Sequence, residues 1–218
     1  LAERLQQYKQ QGARFAKWRA VYNIGAGCPS YVSIRANADG LARYAAICQA
    51  NGIVPIVEPE LLMDGDHSLE QCAQITEWAL KEVFDALFVY GVKLEYIILK
   101  PSMVIAGNKH AKQSTPEEVA TATLTVLKRT VPAAVPSINF LSGGQTPEQA
   151  TANLDAMNKI GNNPWYLSFS YGRALQEPAL ESWHGKANNV QNAQAALFTR
   201  AKLNSAATKG DYAPAMES

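Results

Sequence analysis

Several charged side chains in this chain stand directly beside apolar runs, where they could do covalent chemistry on a carbonyl. Lys100 follows Ile97-Ile98-Leu99, so its amine sits at the mouth of an apolar strand, where desolvation disfavours the ammonium and favours a neutral nucleophile. A neutral amine attacks a ketone and forms an imine. A lone lysine at a strand end more often snorkels to solvent, so its neighbours decide. Glu58 and Glu60 flank Pro59 and in extended geometry share a face, an arrangement suited to proton transfer. A salt-bridged loop is the competing reading. Lys17 and Arg19 also share a strand face, flanked by Phe15 and Trp18, and an apolar strand seldom turns two cations inward without anionic partners. Lys17 is therefore expected to hold a glutamate ionised and to oppose positive charge on Lys100.

Two glycine-bearing stretches suit an anion. Ser142-Gly143-Gly144 and Ser170-Tyr171-Gly172-Arg173 supply hydroxyls, backbone amides open to close approach and one guanidinium, the groups that bind phosphate at the last two loops of a barrel enzyme. Either stretch alone is also an ordinary turn; together, on consecutive strands, they favour phosphate. No metal or other cofactor is expected, since His67, His110 and His184 are widely spaced and form no ligand set. Asp64-Gly65-Asp66-His67 has the look of a calcium loop but lacks the downstream glutamate, and reads as a turn before a helix. Trp165, Trp183 and Tyr171 read as packing residues.

The elements that must hold these groups alternate in period. Strand-length apolar runs occur at Phe15–Val21, Ile53–Val57, Tyr96–Leu99, Ser137–Leu141 and Tyr166–Phe169. Between them lie helical patterns, the clearest over Ser68–Tyr90, stopped by Gly91, and another over Asp39–Asn51, stopped by Gly52. Thr115-Pro116-Glu117-Glu118 and Thr146-Pro147-Glu148-Gln149 each offer a capping hydroxyl, a proline at the first helical position and a side chain able to reach back to the cap. Alternating strands and helices imply a parallel α/β sheet with right-handed crossovers. Periodicity alone leaves open a doubly wound sheet or most of an eight-stranded barrel. Polar residues at the carboxy end of every strand favour the TIM (β/α)8 barrel.

With 218 residues, of which 47% are hydrophobic, the chain can bury a core as one domain over 1–218. Twenty Lys and Arg against 19 acidic residues leave a formal net charge of +1, so nothing points to nucleic acid or an anionic membrane surface. No apolar run is long enough to span a bilayer. Three cysteines, Cys28, Cys48 and Cys72, without C-x-x-C spacing fit reduced thiols and a cytoplasmic setting. The first residues read as an amphipathic helix already under way, and residues 206–218 as a mobile tail.

FAKWR, NGIVPIVEPE, LKPSMV, INFLSGGQ and SFSYGRALQ, in that order, together resemble the strand-end motifs of class I fructose-bisphosphate aldolase, from about Leu1 to about Tyr212. The resemblance implies a TIM barrel, here roughly strands four to eight plus C-terminal helices, with the first three strands and the family's longer tail missing. It implies reversible cleavage of fructose 1,6-bisphosphate to dihydroxyacetone phosphate and glyceraldehyde 3-phosphate in glycolysis and gluconeogenesis, by a cytosolic homotetramer with possible cytoskeletal partners. It makes Lys100 the Schiff-base lysine, Glu58 the proton-transfer carboxylate, Glu60 a support of the lysine network and Lys17 a cation stabilising charge during carbon–carbon cleavage. Arg19 would line the same cleft, and Ser142, Gly143, Gly172 and Arg173 would bind the phosphate next to the ketone. The 218 residues alone are expected to be inactive, since the family uses an acidic residue and a lysine on the missing strands. Two other readings stand beside this one: an imine-forming barrel for a different phosphorylated ketose, and a scaffold without catalysis.

Overall fold

The computed structural model describes residues 1–217. Five strands form one parallel sheet in chain order: β1 (Phe15–Tyr22), β2 (Val54–Leu61), β3 (Ile98–Leu99), β4 (Ser137–Phe140) and β5 (Tyr166–Phe169). Helices α2 (Tyr31–Ala50), α3 (Leu69–Val89), α4 (Pro116–Thr130) and α5 (Pro147–Ile160) make the crossovers, α1 (Ala2–Gln10) precedes β1, and α6 (Arg173–Trp183) and α7 (Val190–Ala207) follow β5. Sequential order with a helix after each strand is the connectivity of a (β/α) barrel, and β1 and β5 are the two edges of this sheet.

Register builds the core. Val57 pairs with Leu99, Leu99 with Ile138 and Ile138 with Leu167, and all four are buried against the helices. Because side chains alternate across a strand, the next row points to the opposite face. That row holds Arg19, Glu58, Lys100, Asn139 and Ser168, which the pairing of Arg19 with Glu58, the Lys100 N–H bond to Val57 O at 2.8 Å and the pairing of Asn139 with Ser168 align. The pleat thus turns an apolar row toward the helices and a polar row away from them.

The helix signals are met locally. Ser68 with Gln71, Thr115 with Glu118 and Thr146 with Gln149 each form a reciprocal capping box, and α3 buries Cys72, Ala79, Val83 and Leu87. Three boundaries depart from the sequence reading. Helix α2 begins at Tyr31, eight residues before Asp39, capped by the Ser30 hydroxyl, which accepts from Ser33 N. Strand β2 runs on through Glu58 and Glu60 to Leu61, because both carboxylates find cations within the fold. Strand β3 shrinks to two residues after a 3-10 turn at Leu94–Tyr96.

Where a loose tail was expected from 206, the chain is packed. Helix α7 continues to Ala207, and Tyr212 is 4% exposed. Its N–H donates to Asp155 Oδ1 at 2.9 Å and its hydroxyl to Glu217 Oε1 at 2.8 Å, while Lys159 Nζ donates to Tyr212 O at 3.2 Å. Arg200, buried on α7, pairs with Glu217 at 2.5 Å. Asp155 and Lys159 of α5, with Glu217 of the final segment, thus anchor one aromatic. Trp165 and Tyr171 are buried, but Trp183, at the end of α6, is exposed. Cys48 and Cys72 are buried and Cys28 is exposed. Among the described residues no helix is long and apolar enough to cross a membrane.

Candidate active site

The carboxy ends of the strands bring the candidate groups together. Glu58, 3% exposed, lies between two ammonium groups: Oε1 is 3.1 Å from Lys100 Nζ and Oε2 is 3.0 Å from Lys17 Nζ. Neither contact has hydrogen-bonding geometry, and Glu58 Oε2 accepts no hydrogen bond; both are ion pairs. The Lys100 side chain is 13% exposed against 44% for Lys17, so Lys100 is the recessed amine and Lys17 the one at the mouth.

Glu60 is held elsewhere, in a hydrogen-bonded ion pair with Arg19 Nε. That carboxylate raises the Arg19 pKa above its ordinary value, mainly through the hydrogen bond. The two pairs follow one rule of register. Lys17 stands opposite Ile56 and reaches Glu58; Arg19 stands opposite Glu58 and reaches Glu60. Each cation leans two residues along the neighbouring strand. Glu60, expected beside the lysines, is instead the partner of Arg19.

Ser102, which the sequence reading quoted within LKPSMV but gave no role, fastens this region. Pro101 has no N–H to give the ladder. The buried Ser102 hydroxyl accepts from Leu61 N at 2.8 Å and donates to Leu61 O at 3.1 Å, tying the end of β2 to the segment carrying Lys100. The following loops are interlocked too: Gly107 N donates to His67 O, Asn108 N to Met63 O and Lys109 N to Gly65 O. His67 is 3% exposed, and burial holds it below the usual histidine range, opposed by Asp66 and the Ile105 backbone, with the nearby His110 adding to the depression.

The two glycine stretches meet at the next strand ends. Ser142 is buried, and Gly143 and Gly144 have φ of 60° and 87°, which favour glycine. A methyl on Gly144 would lie 3.1 Å from Met63 Sδ and 3.5 Å from Arg173 Nη2, so the Arg173 guanidinium of the second stretch rests against the turn of the first. Gly172 caps α6, and Arg173 is its first residue. Backbone amides, a helix start and a guanidinium can together receive a dianion. Gln145, in the turn itself, and Asn153, on α5, are both buried behind it and were given no role in the sequence reading, since uncharged polar side chains carry no distinctive spacing.

Comparisons with known proteins agree with one another. A family model described as fructose-bisphosphate aldolase class-I matches residues 1–218. The chain is 56% identical over 213 residues to fructose-bisphosphate aldolase B of Gallus gallus, covering 97% of this chain and 58% of that protein. It is 54% identical over 213 residues to the cytosolic fructose-bisphosphate aldolase 4 of Arabidopsis thaliana, covering 97% and 54%. A solved structure of the Plasmodium falciparum fructose-bisphosphate aldolase, in complex with TRAP and a small-molecule inhibitor, superposes with a TM-score of 0.96 at 51% identity over 97% of this chain and 62% of that one. The parallel α/β sheet is thus TIM-barrel-like, as expected, and the chain spans little more than half the length of the curated relatives.

Proposed function

The chain belongs to the class-I fructose-bisphosphate aldolase family, and on that premise we propose that Lys100 is its imine-forming nucleophile in the reversible cleavage of fructose 1,6-bisphosphate. The observation that carries this reading is the position of Glu58, within 3.1 Å of Lys100 Nζ and 3.0 Å of Lys17 Nζ. The Lys100 amine adds to the ketone carbon, and loss of water leaves a protonated imine. Glu58 takes the proton of the C4 hydroxyl as the C3–C4 bond breaks. The bonding pair moves into the imine and forms an enamine on Lys100, and glyceraldehyde 3-phosphate departs. Protonation at C3 and hydrolysis of the imine then release dihydroxyacetone phosphate and the free amine. Lys17 stabilises the charge that shifts during cleavage. Ser142, Gly143, Gly172 and Arg173 receive the phosphate next to the ketone, and Arg19, held by Glu60, lines the cleft.

The activity is proposed for the full-length protein, acting in glycolysis and gluconeogenesis as a cytoplasmic homotetramer; cytosolic relatives at 54% and 56% identity support the compartment. These 218 residues alone are expected to be inactive. Turnover of fructose 1,6-bisphosphate by the full-length protein and its Lys100→Met variant tests the reading. Activity confined to the unsubstituted protein is expected; comparable turnover by Lys100→Met would remove the covalent mechanism.

A further inference from the structure

We propose that Gln145 and Asn153 are positioning residues for phosphate recognition: a buried pair of side-chain amides that fixes the Ser142-Gly143-Gly144 turn and thereby sets how tightly the substrate phosphate is held. The inference rests on the phosphate site proposed above and deepens it. Both side chains are 7% exposed. Gln145 Nε2 donates to Ser142 O at 2.8 Å, joining the backbone N–H of Gln145, which donates to the same oxygen at 3.1 Å. Asn153 Nδ2 donates to Gln145 Oε1 at 2.6 Å.

The chemistry fixes the direction of this chain. A carbonyl only accepts, so the Gln145 nitrogen must face Ser142 O and its oxygen must face a donor, which Asn153 supplies. Asn153 lies well inside α5, the helix into which the turn leads, and that helix is anchored by its own capping box at Thr146 and Gln149. The turn is therefore braced from behind by the helix it starts. In front it meets the guanidinium of Arg173 and the sulfur of Met63. Two glycines with positive φ leave the turn little stiffness of its own, and the amide pair supplies it. With the donor of Asn153 removed, the Gln145 amide is free to turn over, Ser142 O loses a hydrogen bond and the seat of Arg173 shifts. Neither residue acts on the reacting carbons; the effect passes through the turn.

The test measures KM and kcat for fructose 1,6-bisphosphate, and separately the calorimetric Kd for inorganic phosphate, on the full-length protein and its Asn153→Asp variant. Aspartate keeps the shape and withdraws the donor but adds a negative charge, so the uncharged Asn153→Leu is measured beside it and the same rise is required of both. We expect KM and the phosphate Kd each to rise about tenfold, the size of one lost buried hydrogen bond, with kcat within about threefold. Should Asn153→Asp fail to fold, the double variant Gln145→Leu/Asn153→Leu removes both buried polar groups together, a change that is near neutral for stability, and the same split is expected of it. Phosphate affinity and KM unchanged within about twofold in a folded variant, or a fall in kcat alone, would overturn the proposal and leave the pair a structural feature. An unsubstituted protein that binds phosphate but turns over no substrate would count against the aldolase reading, and the phosphate Kd of the variants would still decide the role of the pair.

Discussion

Buried between two lysines, Glu58 has a charge-pairing role and a proton-transfer role that substitutions can separate. Glu58→Gln keeps the shape and removes the base, and is expected to lower kcat by about 10²- to 10⁴-fold with little change in KM, measured in steady state on the full-length protein. The pairing role is read from the cations instead. Lys17→Met leaves Glu58 its contact with Lys100, whereas Arg19→Met leaves the buried Glu60 without its cation. Arg19 is itself nearly half exposed, which discounts the cost. Denaturant titration should therefore give a loss of about 1–3 kcal/mol for Arg19→Met and less than about 1 kcal/mol for Lys17→Met; equal losses would contradict the assignment of pairs. Lys100, Glu58 and Lys17 were legible as charges at the ends of apolar runs, because a charge inside a strand needs a reason. Which cation takes which carboxylate was not, since it depends on the two-residue lean between β1 and β2. Ser102, Gln145 and Asn153 were illegible because they act through uncharged hydrogen bonds.

Elements were legible in their centres and less so at their ends. The capping boxes at Ser68, Thr115 and Thr146 and the left-handed glycines 52 and 91 mark boundaries by local chemistry that sequence carries openly. The front of α2 was hidden by a polar stretch around Arg35 and Asn37, and β2 was cut short by carboxylates that only tertiary partners make tolerable. The interlocked loops after β2 and β3 give a pH dependence. Burial depresses the pKa of His67 in the folded state, so the unfolded chain binds the proton more readily and stability rises with pH across that window. The contribution is complete above the ordinary histidine value of about 6.5 and is lost as pH falls below it toward the depressed folded value. Thermal midpoints measured over about pH 7.5 to 5 should fall less steeply for His67→Leu than for the unsubstituted protein; parallel curves would show that His67 does not titrate with unfolding.

For the molecule as a whole, the parallel α/β class followed from alternating periods, and the barrel from polar residues at successive strand ends, which the polar row Arg19, Glu58, Lys100, Asn139 and Ser168 now accounts for. What periodicity could not give was how the sheet is bounded. Its edges, β1 and β5, carry Phe15, Trp18 and Tyr166 at 62%, 55% and 82% exposure, and such edges drive association. A purified chain of these 218 residues is accordingly expected to sediment as assemblies larger than one copy, and a monodisperse monomer in sedimentation velocity would contradict that reading. The central claim, that one recessed lysine among all those in the molecule forms the imine, is tested most directly by reducing the full-length protein with borohydride in the presence of dihydroxyacetone phosphate and mapping the adduct by peptide mass spectrometry. The account predicts a single adduct on Lys100; an adduct on another lysine, or none from folded protein that still binds the ligand, would contradict it.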